Sequence, residues 1–175
     1  MAPTSIEIRP AEREDLPRAQ EIHRHYVVAG YATLEEEPLP LEAWHALHGR
    51  LTGARLPFLV AAADGAVVGF VYATPVHPGP AHRHVVQVSL YLAPDTIRKG
   101  VGSLLLCRLL DEVRTVGVRE AVGLINDVDS EPTVAFFRSH GFTQVGRLQG
   151  VGLKHGRTVD TILMQRSLRT TAPAL

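Results

Sequence analysis

The stretch Val88-Ser-Leu-Tyr-Leu-Ala-Pro-Asp-Thr-Ile-Arg-Lys-Gly-Val-Gly-Ser-Leu-Leu-Leu-Cys-Arg-Leu-Leu-Asp-Glu-Val113 decides the fold class of this chain. It predicts a strand, a short basic turn containing Gly100 and Gly102, and then an amphipathic helix. Glycines at such a junction let the backbone turn tightly and leave the first N–H groups of the helix unobstructed. Those donors and the positive end of the helix dipole form an anion site suited to a pyrophosphate, and Arg98 and Lys99 add positive charge. The stretch therefore predicts a nucleotide-bearing cofactor.

The spacing of the glycines separates three nucleotide-binding motifs. A P-loop ends in Gly-Lys-Ser/Thr, but Lys99 precedes the glycines here. A dinucleotide fingerprint has a third glycine three residues after the second, and Leu105 occupies that position. The remaining pattern is an acyl-CoA turn, written Gln/Arg-x-x-Gly-x-Gly/Ala. Ile97-Arg-Lys-Gly-Val-Gly102 resembles this turn of the GNAT acetyltransferases at every position except Ile97.

The resemblance extends along most of the chain, toward the phosphinothricin-type N-acetyltransferases. The matching stretches are Ile6–Ala11 with Glu14 and Asp15, Tyr31–Pro38, Arg83-His84 with Val88–Leu92, Val145–Leu148, Val151–Arg157, Asp160, and Met164-Gln165. It implies a single-domain GNAT fold of the α/β (α+β) class over residues 1–169, with a mixed central sheet flanked by helices. Residues 170–175 are expected to form a disordered tail.

Hydrophobic periodicity and turn residues predict alternating helices and strands. The predicted strands cover 6–10, 58–63, 67–74, 84–92, 120–125, 142–148 and 159–168, and the predicted helices 12–29, 41–53, 102–116 and 131–139. Asp64-Gly65 is expected to turn a hairpin, and Gly141 to cap the last helix in a left-handed conformation.

Composition excludes several classes of function. The chain has 175 residues, zero formal net charge and a single cysteine. Without a basic block it is not expected to bind nucleic acid or a membrane surface. The segment Met1–Ile6 lacks the regions of a signal peptide, so a cytosolic location is expected. Cys107 lies beside leucines in the helical pattern and is interpreted as a small buried hydrophobe rather than a nucleophile.

The resemblance implies acyl transfer from acetyl-CoA, or another acyl-CoA, to the primary amine of a small molecule, an amino acid or its analogue. A homodimer is implied as well. The implied cofactor-binding residues are Leu90, Tyr91, Leu92, Arg98, Lys99, Gly100, Val101, Gly102, Ser103, Ser130 and Thr133. The implied substrate-side residues are Tyr31, Thr33, Arg83, Gln87, Lys154 and Arg157.

Three departures from the family pattern fall where the chemistry is expected. Gln87 stands where the phosphinothricin-type pattern has a glutamate, and an amide cannot take a proton from the amine. Phe137 stands where relatives have Tyr or His, and Ser130 where an Asn commonly starts the helix. Gln87 is expected to share a strand face with Arg83, Ser89 and Tyr91 at period two, so it remains a candidate for orienting water or substrate, or is a partly exposed strand amide. Tyr91 is a candidate for protonating the thiolate, or is a packed core tyrosine.

Two readings of other residues stay open. Arg83 either holds a substrate carboxylate or is a solvated arginine. His77, His82 and His84, or His45 and His48, invite a metal reading, but no complete set of ligands is found, and no metal is predicted. The alternative to an active enzyme is an acyl-CoA-binding sensor or scaffold protein with little turnover, which Gln87 and Phe137 favour.

Overall fold

The structure is a computed structural model that describes residues 5–169. The strands are β1 (Ile6–Pro10), β2 (Phe58–Ala63), β3 (Ala66–Pro75), β4 (Val85–Leu92), β5 (Glu120–Asn126), β6 (Thr143–Lys154) and β7 (Arg157–Ser167). The helices are α1 (Leu16–Ala29), α2 (Leu41–Gly53), α3 (Val101–Thr115) and α4 (Glu131–Ser139). The predicted α/β class and mixed sheet are confirmed. The predicted tail at 170–175 lies outside the described residues, and the domain limits stay a prediction.

One mixed sheet contains all seven strands in the order β1-β2-β3-β4-β5-β7-β6. Every neighbouring pair is antiparallel except β4 and β5, which run parallel. That parallel pair is short, because only Val85–Gln87 lie opposite Glu120–Val122. Beyond Gln87 the two central strands diverge, and the sheet is open at its middle.

Helices cover the two faces of the sheet unequally. On one face α3 buries a row of leucines against β2, β3 and β4, together with Val86 and Val88 of β4. On the other face α1 and α2 pack over β2 and β3, where Trp44 contacts Phe70. Because side chains alternate along a strand, Gln87, Ser89 and Tyr91 face the α1 side.

The prediction for Cys107 is wrong, because its side chain is exposed. The buried residues of α3 recur at helical spacing on its sheet-facing side, at Val101, Gly102, Leu105, Leu106, Leu109, Leu110 and Val113. Cys107 falls between two pairs of these leucines and points to solvent. The leucines next to Cys107 in the sequence therefore do not indicate whether its side chain is buried.

Two predicted boundaries differ from the structure for local reasons. The first helix begins at Leu16 rather than at residue 12, because Arg13–Asp15 form a 3-10 turn. The Asp15 carboxylate stabilises this turn by accepting hydrogen bonds from the Glu12 N–H at 2.8 Å and from Arg9 at 2.6 and 2.8 Å.

The closing hairpin of β6 and β7 is longer than predicted, because the polar segment before Arg157 also pairs, with Lys154 opposite Arg157. The Lys154 ammonium donates a hydrogen bond of 2.8 Å to the backbone oxygen of Thr33. This contact lets a charged residue occupy a fully buried strand position.

Candidate active site

The divergence of β4 from β5 opens a cavity of about 730 Å³. Its walls come from β4 between Gln87 and Leu92, from β5 between Leu124 and Asn126, and from the loop residues Ala32–Leu34. The turn before α3 and the start of α4 complete the lining. Two helix N-termini therefore face one cavity that is bounded by two strands with unpaired edges.

The turn before α3 has the geometry expected from its glycines. Gly100 has φ +82° and caps the helix, a conformation that L side chains adopt only with strain. The first helical hydrogen bond runs from the Leu104 N–H to the Gly100 oxygen. The N–H groups of residues 101–103 therefore have no partner within the helix and are available to an anion.

Gly102 lets the turn approach the opposite wall of the cavity closely. A Cβ built there would lie 3.4 Å from the Phe136 ring and 3.5 Å from Leu92. These are ordinary contact distances, so a methyl group fits and a larger side chain must point into the cavity. Arg98, with φ +64°, lines the same side.

Strand β4 offers an unpaired backbone edge to the cavity. Leu90–Leu92 pair with Gly69–Val71 of β3 on one side and have no β5 partner on the other. The hydroxyl of Tyr26 donates a hydrogen bond of 2.5 Å to the Leu92 oxygen and anchors the end of this edge. The other backbone N–H and C=O groups on this edge can form hydrogen bonds with the amides of a ligand, as they would with a neighbouring strand.

The start of α4 is held by a polar network. The Ser130 hydroxyl donates to the Asp127 carboxylate at 2.5 Å, and Arg147 bridges Asp127 at 2.6 Å and Asp160 at 2.8 Å. Hydrogen bonds from Ser130 and Arg147 hold the pKa of Asp127 below its usual range. Ser130 and Thr133 both line the cavity. The network thus ties the cavity wall to the β6–β7 hairpin.

The loop from Tyr31 to Glu35 forms the wall away from α3. The Asn126 amide donates 2.9 Å to the Tyr31 oxygen, while Leu34 packs against the backbone of Gly152. The Arg157 guanidinium lies over the Tyr31 ring, 5.6 Å from its centroid. This loop is therefore held by β5 and by the tip of the hairpin, which arrive much later in the chain.

Ionisable side chains cluster behind this loop. His23 is buried, with its Nε2 3.2 Å from the Glu35 carboxylate, and burial together with the Lys154 charge lowers its pKa to about 4. Burial raises the pKa of Glu35 and lowers that of Lys154. Burial also raises the pKa of Tyr91 well above its usual range. At neutral pH, His23 is uncharged and Tyr91 keeps its proton.

The structure brings most of the predicted residues to the cavity. Those that line it are Thr33, Gln87, Leu90, Tyr91, Leu92, Arg98, Gly100, Gly102, Ser103, Ser130 and Thr133. Lys99 and Val101 belong to the same turn without lining the cavity. Tyr31, Lys154 and Arg157 lie behind the wall and hold the loop that carries Thr33.

Arg83 is the predicted substrate residue that the structure does not bring to the cavity. It lies just before β4, beyond the paired end of the strand, and lines a separate depression of about 460 Å³ with Arg119. One guanidinium N–H donates 3.0 Å to the Pro80 oxygen. The prediction placed Arg83 on the strand face of Gln87, but the strand begins at Val85 after a 3-10 turn at Pro80–His82.

All three departures from the family pattern, Gln87, Phe137 and Ser130, line the cavity. Gln87 is half-buried and lies opposite Val122 at the last paired position. Phe137 is buried and packs edge-on against Phe142, with ring centroids 4.9 Å apart. Neither Gln87 nor Phe137 can exchange a proton with a reacting group.

Sequence reasoning missed His23, Glu35 and Asn126 as residues of this site. Asn126 contacts the loop backbone, and His23 contacts Glu35 of the loop, across elements that are distant in sequence. The usable signal was the acidic run Glu35–Glu37 after Thr33, in a segment already matched to the family pattern.

The histidines do not assemble a metal centre within the described part of the chain. Residues 5–169 contain no group of three or more His, Cys, Asp or Glu side chains placed to hold a metal ion. His77 and His82 lie outside the cavity lining with ring centroids 4.7 Å apart and ring planes tilted by 45°. Over the same residues, no helix is long and apolar enough to cross a membrane.

Comparison with known proteins gives matches over most of the chain. The model of the acetyltransferase (GNAT) family matches residues 17–142. Phosphinothricin N-acetyltransferase of Alcaligenes faecalis is 36% identical, over 99% of this chain and 89% of its own length. An L-methionine sulfoximine/L-methionine sulfone acetyltransferase of Salmonella typhimurium is 30% identical, over 92% and 94% of the two chains.

A solved structure gives the same result for the fold. The phosphinothricin acetyltransferase from Sinorhizobium meliloti, crystallised with acetyl-CoA, superposes with a TM-score of 0.87 at 35% identity. The match covers 93% of this chain and 88% of that one.

Proposed function

Because the chain belongs to the GNAT acetyltransferase family, we propose that its acceptor is the primary amine of an amino acid or a close analogue, of the phosphinothricin or methionine sulfoximine type. The chain is an acetyl-CoA-dependent N-acetyltransferase that acts on the amine of a small molecule. The acceptor class is supported by relatives whose names carry these two substrates. The cytosolic location expected from the sequence stays a prediction.

The cofactor is proposed to lie along the opening between β4 and β5, and this opening is the observation that carries the proposal. Its diphosphate would accept hydrogen bonds from the free N–H groups at the start of α3, with Arg98 and Lys99 adding charge. Its pantetheine amides would pair with the free edge of Leu90–Leu92. Ser130 and Thr133 support the proposal from the opposite wall.

The chain's residues must perform three tasks, since bound acetyl-CoA supplies only an activated thioester. A backbone N–H of the free β4 edge would polarise the carbonyl of that thioester. Tyr91 keeps its proton at neutral pH and is the proposed donor to the departing thiolate. Gln87 and Thr33 would orient the acceptor, because both line the cavity next to this edge. Holding an amine against the thioester supplies a large part of the rate.

Tyr31, Lys154 and Arg157 are proposed to act on the substrate side by holding the loop rather than by contact. The Lys154 ammonium donates a hydrogen bond to the backbone oxygen of Thr33, and the Arg157 guanidinium lies over the Tyr31 ring. Arg83 is left out of the proposed substrate site, because it lines another depression.

We further propose a homodimer formed through β6. This strand is one of the two edges of the sheet and exposes Val145, Leu148, Val151 and Leu153, each 45% exposed or more. An open apolar edge of twelve residues is a ready surface for a second copy.

Light scattering tests this assembly. We expect twice the 19.1 kDa mass of the chain at micromolar concentration. Replacing the exposed Val151 and Leu153 together by lysine should shift the mass toward the monomer, since two charges would oppose the same edge of the partner. A monomer for the unmodified chain would contradict the proposal.

Release of CoA across a panel of amines tests the proposed function. We expect turnover with L-phosphinothricin, L-methionine sulfoximine and related α-amino acids, and formation of the N-acetyl product by mass spectrometry. Amines without the α-carboxylate should react much more slowly. If acetyl-CoA binds but no amine is acetylated, the binding protein that Gln87 and Phe137 favour is correct instead.

A further inference from the structure

Glu35 is a carboxylate in contact with the cavity-lining residue Thr33, although it does not itself line the cavity. Its Oε2 lies 3.2 Å from Nε2 of His23 and 3.4 Å from the hydroxyl oxygen of Thr33. The Glu35 backbone N–H donates to the same Thr33 hydroxyl oxygen at 3.3 Å. Two polar groups therefore hold the carboxylate directly behind Thr33.

Charged and titratable groups face Glu35 from every element packed against it. His23 comes from α1, Lys154 from β6, Tyr72 from β3 and Tyr91 from β4. Burial keeps His23 uncharged at neutral pH, so it places no positive charge beside the Glu35 carboxylate 3.2 Å away, and the tyrosines keep their protons. Among these side chains Lys154 is the cation, and the Glu35 carboxylate is the proton acceptor.

Thr33 connects Glu35 to the cavity. Its side chain is buried, lines the cavity, and lies within hydrogen-bonding distance of the Glu35 carboxylate. Its backbone oxygen is fixed by the Lys154 ammonium at 2.8 Å. A threonine hydroxyl can accept one proton and donate another, so it can pass a proton between a bound amine and the carboxylate.

We propose that Glu35 receives the proton of the acceptor ammonium through the Thr33 hydroxyl, and so supplies the carboxylate that Gln87 does not. The proposal rests on the proposed function, because it needs an ammonium group bound beside Thr33. The ammonium N–H passes its proton to the Thr33 oxygen as the Thr33 proton moves to Glu35.

The remaining steps of the acetyl transfer follow this proton transfer. The neutral nitrogen forms a bond to the thioester carbonyl carbon, and the bond from that carbon to sulfur breaks. Tyr91 donates its hydroxyl proton to the thiolate and takes the second proton of the nitrogen in its place. The products are the N-acetyl amide, CoA thiol and one proton, which Glu35 returns to solvent.

The surroundings of Glu35 suit this role. Burial raises the pKa of Glu35 above its ordinary value, which makes the carboxylate a stronger proton acceptor. The folded protein must have Glu35 ionised for the step, so kcat should rise as the pH increases through the Glu35 pKa. Below that pKa the carboxyl group is protonated and the path is blocked.

Glu35→Gln is the direct test, with Glu37→Gln as the matched control, since Glu37 is an exposed carboxylate of the same loop. For an acceptor that the wild-type enzyme acetylates, Glu35→Gln should lower kcat about 100-fold or more and abolish the acidic limb of the kcat profile. Acetyl-CoA affinity by calorimetry should not change. Glu37→Gln should behave as wild type.

Three further variants separate proton transfer from folding. Thr33→Val keeps the side-chain volume and removes the hydroxyl, so it should reproduce the loss, and Thr33→Ser should recover most of the rate. Adding Gln87→Glu to Glu35→Gln should restore part of kcat.

The proposal is wrong if Glu35→Gln keeps kcat within about threefold of wild type, because a general base contributes far more. It is also wrong if kcat falls with the acidic limb retained. Absence of turnover in the wild type would instead count against the proposed function.

Discussion

Gly102→Asp is expected to lower the affinity for acetyl-CoA at least about 100-fold. A carboxylate would enter the space between the start of α3 and Phe136, where the diphosphate is proposed to lie. Two like charges about 4 Å apart repel by roughly 4 kcal/mol near a protein surface, which exceeds the energy of a 100-fold loss. Calorimetric titration with CoA measures the effect.

The same substitution should leave the protein folded. An aspartate in the first turn of a helix is favourable, because its charge opposes the helix dipole. Gly102→Ala is the control, since a methyl group meets its neighbours at 3.4 Å or more. We expect Gly102→Ala to bind CoA within about threefold of wild type. Unchanged CoA affinity in folded Gly102→Asp would refute the placement of the diphosphate.

Gln87→Glu is expected to raise kcat about tenfold at pH 7. Gln87 lies at the last paired position of β4 and lines the cavity, so a carboxylate there can take a proton from the acceptor through water. A solvent-linked glutamate has a pKa of about 4.3 and is ionised at this pH. Steady-state kinetics with the best acceptor of the panel measure the change.

Gln87→Ala is the companion variant, and it should raise the KM for the acceptor more than it lowers kcat, because only an orienting amide is lost. If Gln87→Glu instead lowers kcat and raises the acceptor KM, the amide recognises a group that repels a carboxylate. If neither substitution changes any rate, Gln87 lies outside the site, and the matching of β4 to the family pattern is wrong.

The part of the site that depends on local chemistry was predictable from the sequence. Gly100, with φ +82°, forms part of the tight turn that the glycines predict, and α3 follows it as the apolar spacing indicates. Gly141, with φ +79°, follows α4 as predicted. These features depend on the conformational preferences of a few adjacent residues, which the sequence states directly.

The part that depends on contacts between distant elements was not predictable in this way. Thr33 and Lys154 are 121 positions apart, and their hydrogen bond exists only because the hairpin folds over the loop. Arg83 was placed on the face of Gln87 by assuming an unbroken strand, but the strand begins two residues later. The contact between His23 and Glu35 also depends on where α1 packs.

Hydrogen exchange with and without acetyl-CoA tests most directly whether the opening between β4 and β5 holds the cofactor. Binding should slow amide exchange in two separate segments, at the β5-facing amides of Leu90–Leu92 and at Val101–Ser103, because those N–H groups have no partner in the sheet or the helix and gain one in the complex. Gly102→Asp should show no such protection at the same acetyl-CoA concentration. Protection confined to the depression around Arg83 and Arg119, with both segments unchanged, would contradict this account.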